Sequence, residues 1–319
     1  MKKGITVAGS VLVDKLNAIS AYPSAGELTQ ILSVGLAAGG CVPNVAVDVK
    51  KLCPAIPVYA SGKIGDDEEG VFVKNELKSA GVDVSAVVID QTEKTSFTDV
   101  MSVKGGERTF FTYAGASAKF GFDDVFAFDM TEMLHLGYFL LLKKIDDGDG
   151  LKILKEAKAR GVKTSIDLVS ENSDRYSLII PCLEYTDNLI VNEIEAGKLA
   201  GISNPAENLR AVAERLTEYG VKERVVIHLP EKGVCYHDGI FTEVNSLELP
   251  AGYIKGSTGA GDAFCAGVLA GIYNGYSDER ILTFASLAAA ASLRAEDATS
   301  GLVAESELYD EFKNFKRKK

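Results

Sequence analysis

No stretch of the 319-residue chain approaches the ~18 uninterrupted apolar residues that a membrane span requires. Basic residues are in deficit: 34 Lys and Arg against 45 Asp and Glu leave a net charge of −11. A field of that sign repels polyanions, so neither nucleic acid nor an anionic membrane is expected as the main partner. An anionic small ligand is still admissible, because a local loop can outweigh the global field. Cysteine is sparse and dispersed. Cys41, Cys53, Cys182, Cys235 and Cys265 form no CxxC pair, which argues against a disulfide or zinc framework and for free thiols in a reducing compartment. With three histidines (His135, His228, His237) and no GxSxG stretch, a Ser–His–Asp hydrolase has no support. No GxxxxGK[ST] loop occurs and no GxGxxG opens the first strand–helix unit, so a Walker loop and a dinucleotide fingerprint are both missing. The opening MKKGITVAGSVLVDKL has only a short apolar run broken by Gly and Asp, and is expected as a first strand rather than a signal peptide. A cytoplasmic location is the resulting expectation.

What is present is enough for a sizeable core: 46% of residues are hydrophobic and 25% charged. The length suits one large α/β domain or two smaller ones. ITVAGSVLV, IPVYASG, VKTSIDLV, NLIVN and RVVIHL are short runs rich in β-branched residues, as in buried parallel strands. Between several of them lie helical patterns, EEGVFVKNELKSAG, DGLKILKEAKARG and ENLRAVAERLTEYG, each closing on glycine. Such alternation predicts a mainly parallel sheet with helices on both faces. ELTQILSVGLAAGG (27–40) and TSFTDVMSVKGGERTFFTY (95–113) break the rhythm, the second as a hairpin turning at KGGER; together they are expected to form a small β layer over a cleft. The basic tail KNFKRKK is expected as a solvated helix end.

Chemistry concentrates at GSTGAGDAF (256–264), which precedes an apolar, small-residue helix pattern. Gly259, Ala260 and Gly261 would then lie where unpaired N–H groups and the helix dipole make an anion site. Asp262 beside a bound phosphate is repulsive unless it serves as a base toward an attacking hydroxyl; taken alone, it is equally an acid in a first helical turn. In AGGCVPNVA (38–46), Gly39 and Gly40 form a turn and Asn44 starts a helix; the segment is either a plain glycine loop with an Asn at the helix start or a cradle whose Asn44 offers donor and acceptor to a polyhydroxylated ligand. Asp14, placed after the first strand, could accept from two sugar hydroxyls, or serve as a loop residue or cap. In NEIEA (192–196), Asn192 and Glu195 share a helical face and supply oxygens of the kind hydrated Mg²⁺ uses; a plain helix start is the simpler account of that segment alone.

Together these stretches resemble the ribokinase-like, or PfkB, family of carbohydrate kinases. The resemblance runs in order from Asp14 through AGGCVPNVA, SGKIGDDEEG, the 95–113 hairpin and NEIEA to STGAGDAFCAGVLAG. It implies a ribokinase-like α/β fold: three α/β/α layers, a central mainly parallel sheet and a small β-sheet lid. The core would comprise residues 1–12, 38–94 and 114–319, and the lid 13–37 and 95–113. It implies ATP-dependent phosphoryl transfer to a hydroxyl, often a primary one, with Asp262 as general base and Gly259, Ala260 and Gly261 as anion hole. Asp14, Gly39, Gly40 and Asn44 would hold the sugar; Arg108 in GGERTFFTY is either a turn arginine facing solvent or one that reaches from the lid to a carboxylate or phosphate on the substrate. Asn192, Gly233, Thr258, Gly259, Gly261 and Ser286 would bind nucleotide, with Glu195 serving Mg²⁺ through water. A homodimer through the lid is plausible. Gly256-Ser257 replaces the usual Asp-Thr of a monovalent-cation site, which leaves potassium activation in doubt, and Pro230 replaces a usual glycine. A nucleoside kinase on the same scaffold and a non-catalytic sugar- or nucleotide-binding regulator are the alternatives.

Overall fold

The computed structural model describes residues 3–103, 108–125, 128–170 and 173–319. The chain opens with β1 (Gly4–Ala8), β2 (Leu12–Ile19), β3 (Ile31–Gly39) and α1 (Cys41–Leu52). It continues through β4 (Val58–Gly65), α2 (Glu68–Ser79), β5 (Asp83–Asp90), β6 (Ser96–Val103), β7 (Arg108–Tyr113) and β8 (Thr131–Phe139). Next come α3 (Gly150–Ala159), β9 (Lys163–Leu168), α4 (Ile180–Leu183), β10 (Asn188–Asn192), α5 (Glu193–Ala200) and α6 (Leu209–Glu218). The last quarter holds β11 (Arg224–Leu229), β12 (Lys232–His237), β13 (Ile240–Asn245), α7 (Ala260–Tyr273), α8 (Asp278–Ser292) and α9 (Glu305–Phe312).

Nine strands form one sheet in the order β13-β12-β11-β10-β9-β8-β1-β4-β5, parallel except for the antiparallel pairings of β12 at one edge. Successive strand residues face opposite sides, and the sequence supplies apolar side chains to both. Ile5, Val7, Ile190 and Val226 join α1, α2, α7, α8 and α9 in one core. Ala8, Leu189, Val191, Val225 and Ile227 join α3 to α6 in another. This is the expected three-layer arrangement. From β1 the order runs outward through β4 to β5 on one side and through β8 to β11 on the other. Ligands bind at such a reversal, beyond the carboxyl ends of the strands.

A separate four-stranded sheet, β3-β2-β6-β7, forms the lid. β6 and β7 pair antiparallel, from Phe97 opposite Tyr113 to Ser102 opposite Arg108; most of the predicted KGGER turn lies outside the described residues. Three sequence expectations are corrected. ITVAGSVLV is not one strand: the chain leaves the large sheet at Gly9, and β2 enters the lid, so Asp14 lies inside a lid strand. Helix α1 starts at Cys41, ahead of Asn44, because Gly40 at φ 88° ends β3 and turns the chain at once. The tail is no solvated helix end, for beyond α9 residues 316–318 run antiparallel to 246–248.

Candidate active site

Helix α7 begins at the glycine loop. Gly259, its N-cap, has φ 80°, and a side chain there would collide with Ala298, so neither the conformation nor the space admits another residue. Asp262 falls in the first turn and is only 7% exposed. Asn44 Nδ2 donates to its Oδ2 at 2.8 Å, and the Tyr138 hydroxyl lies 3.0 Å from both carboxylate oxygens. Burial, then the charge of Asp167, raise Asp262 to about 7 against the lowering effect of these two donors. Asn44 is itself buried, and its Oδ1 has no partner among the described residues.

The lid contributes from above. By register, Asp14, Thr98, Thr112, Phe110 and Arg108 share one face of its sheet. Asp14 lies so close against Gly39 that any side chain at 39 would meet its carboxylate, and burial raises it to about 6. Arg108 Nη1 donates to Thr258 Oγ1 at 3.0 Å, so this arginine meets the glycine loop. Gly40, next to Gly39, is the N-cap of α1.

Asn192 and Glu195 form a capping box: the Glu195 N–H donates to Asn192 Oδ1 at 2.9 Å, and the Asn192 N–H to Glu195 Oε2 at 3.1 Å. Ser170 Oγ donates to Glu195 Oε1 at 2.7 Å, yet burial still raises Glu195 to about 7. Both residues line a cavity of about 280 Å³ shared with Asp167, Gly259, Gly261 and Asp262. Asn192, His228 and Gly261 also line a neighbouring cavity of about 610 Å³, so the two adjoin. The larger one is walled by Leu247, Leu249, Ile254, Ala289 and Leu293, and receives Ser286, whose buried Oγ has no partner among the described residues. Gly233 lies under the Phe264 ring, outside the lining of either cavity, as does Thr258.

Three residues here escaped the sequence reading. Tyr138, the last residue but one of β8, lies in the left-handed region at φ 59°, a conformation that aims its hydroxyl at Asp262; no motif announces it. Asp167, at the end of β9, accepts from the Tyr138 N–H and faces the smaller cavity. His228 packs on Phe264 with ring centroids 5.0 Å apart, and burial lowers it to about 4, leaving a neutral imidazole between the cavities. The position of both at strand ends was the available signal.

The model of the pfkB family carbohydrate kinases matches residues 2–305. The chain belongs to that family. Its members are phosphotransferases that take an alcohol group as acceptor. This kinase is 29% identical to the ribokinase of Arabidopsis thaliana over 297 residues, 91% of this chain and 75% of the relative. It is 26% identical to the adenosine kinase of Dictyostelium discoideum over 237 residues, 68% and 67% of the two chains. Its fold matches that of Arabidopsis thaliana ribokinase complexed with ribose and ATP at a TM-score of 0.84, with 23% identity, covering 97% of this chain and 98% of that one.

Proposed function

We propose that this pfkB-family kinase transfers the γ-phosphoryl group of Mg-ATP to a hydroxyl, primary by preference, of a small sugar or sugar derivative. The observation that carries this reading is Asp262: a buried carboxylate in the first turn of α7, raised to about 7, held by one donor from α1 and one from β8. A base poised near the working pH, beside the first-turn N–H groups of a glycine loop, suits removal of a hydroxyl proton as the phosphoryl group arrives.

The sugar would lie between Asp14, Gly39, Gly40, Asn44 and the lid hydroxyls of Thr98 and Thr112. The N–H groups of Gly259, Ala260 and Gly261 would face the transferring phosphoryl. The larger cavity would take the nucleotide, with Ser286 toward the base. Asn192, Glu195 and Asp167 supply the oxygen donors that a hydrated Mg²⁺ on the phosphates would meet. The proposal includes no potassium, because Gly256 and Ser257 bring no carboxylate to the loop. A nucleoside acceptor is the second reading, favoured by one feature: Phe110, 58% exposed on the cleft-side face of the lid, could stack on a base. Exposed Leu32, Val34 and Leu36 on edge strand β3 support a homodimer through the lids.

The test is ADP release from Mg-ATP across hexoses, pentoses, sugar acids and nucleosides, with Asp262→Ala beside the wild type. Acceptor-dependent ADP that disappears in the variant is expected. Silence across the panel from a protein that binds Mg-ATP would sink the proposal and leave a binding protein on a kinase scaffold.

A further inference from the structure

The tail KNFKRKK carries five basic residues, Lys313, Lys316, Arg317, Lys318 and Lys319, in a chain of net charge −11. Its course is fixed. Phe315 packs on Phe312 and Tyr253, with ring centroids 5.1 and 6.4 Å apart. Beyond it the Glu248 N–H donates to Lys316 O and the Lys318 N–H to Ser246 O, each at 2.8 Å, while Asn245 Nδ2 donates to Lys318 O at 3.0 Å. The last residues therefore cover the chain that leaves edge strand β13.

An extended segment sends alternate side chains to opposite sides. Arg317 turns to the Asn245 carbonyl, whereas Lys318 lines the 610 Å³ cavity. Of the two lysines in that lining, Lys232 is held by Glu243 at 2.9 Å. Lys318 instead donates to a neutral acceptor, Pro230 O, at 2.8 Å, and forms no ion pair among the described residues. Among the described residues the one carboxylate in the lining is Glu193, and Lys318 forms no ion pair with it. A lining cation without a counter-ion among the described residues suits a polyanionic occupant.

We propose that the C-terminal segment is a wall of the nucleotide site and that Lys318 is a determinant of nucleotide affinity, acting through its charge. This rests on reading the larger cavity as the ATP site. The experiment measures the dissociation constant of Mg-ATP by calorimetry for the full chain, for Lys318→Met and for Lys318→Arg, at low and moderate NaCl. Loss of one half-exposed charge contact should weaken Lys318→Met about fivefold. Lys318→Arg should stay within about twofold of the wild type, whose affinity should fall more steeply with salt than that of Lys318→Met. Equal affinity in wild type and Lys318→Met, or an arginine variant as weak as the methionine one, would overturn the role of the charge while leaving the kinase reading intact. A wild type that binds no Mg-ATP would remove the reading on which the inference rests.

Discussion

Asn44 and Asp262 stand 218 positions apart in the chain and meet through a 2.8 Å hydrogen bond. The donor sits in the first turns of α1, fed by the lid strand β3; the acceptor sits in the first turn of α7, fed by the glycine loop. Two helix starts on one side of the sheet thus face each other across the end of β8, where Tyr138 supplies the second donor to the same carboxylate. Asp262 is thereby oriented by groups from both sides, while burial keeps its proton affinity high.

Replacing Asp262 by Asn should lower kcat by about 10²-fold or more, the scale of general-base catalysis, with little change in either KM. If Asp262 is the base it acts as a carboxylate, and because it is raised to about 7, kcat/KM should then climb with pH up to about 7 and level off above it. Near-normal turnover in the variant, or a profile flat from pH 5 to 8, would refute the assignment.

Tyr138→Phe tests the electrostatics separately. The tyrosine hydroxyl stabilises the charged form of Asp262, so its loss should raise the carboxyl further and move the ascending limb to higher pH. The plateau should fall only a few-fold, since the Asp262 carboxylate itself remains. An unmoved limb would mean that the contact has no hold on Asp262.

Arg108 joins the lid to the glycine loop through Thr258 Oγ1 at 3.0 Å. If that contact helps hold the closed lid, Arg108→Met should reduce kcat/KM by roughly tenfold, the scale of one charged hydrogen bond. Thr258→Ala added to it should cost little more, because both changes break one interaction. Strictly additive losses in the double-mutant cycle would separate the two residues.

Periodicity and composition made the layers legible: helices α2, α3 and α6 were predicted with their closing glycines, and the glycine loop led into a buried helix. The lid was harder to read. In ITVAGSVLVDKL the apolar run continues across Gly9, so pattern alone shows one strand where tertiary pairing makes two, and the second carries Asp14 in the lid sheet. Tyr138 was invisible for another reason. Its role depends on a left-handed strand end meeting a residue 124 positions away, and no local spacing encodes that. The tail misled because basic charge signals solvation in sequence, whereas backbone pairing to 246–248 decides its place.

Asp48 offers a last test, of stability. One turn beyond Asn44 on α1, it is 0% exposed, and neither carboxylate oxygen has a hydrogen-bond partner among the described residues. Burial, then the charge of Asp262, raise it well above the ordinary 3.8. The folded protein therefore keeps a proton that the unfolded chain gives up as pH rises past the ordinary aspartate range, and this residue's contribution to stability falls with increasing pH. Asp48→Asn is neutral at every pH and removes that dependence. Its melting temperature should match the wild type near pH 4 and exceed it progressively above, by about 2 °C per pH unit for ~1.4 kcal/mol in a chain of this size. Calorimetric melts from pH 4.5 to 8.5 decide the matter: a constant offset between the two proteins would show that Asp48 titrates like an exposed carboxylate.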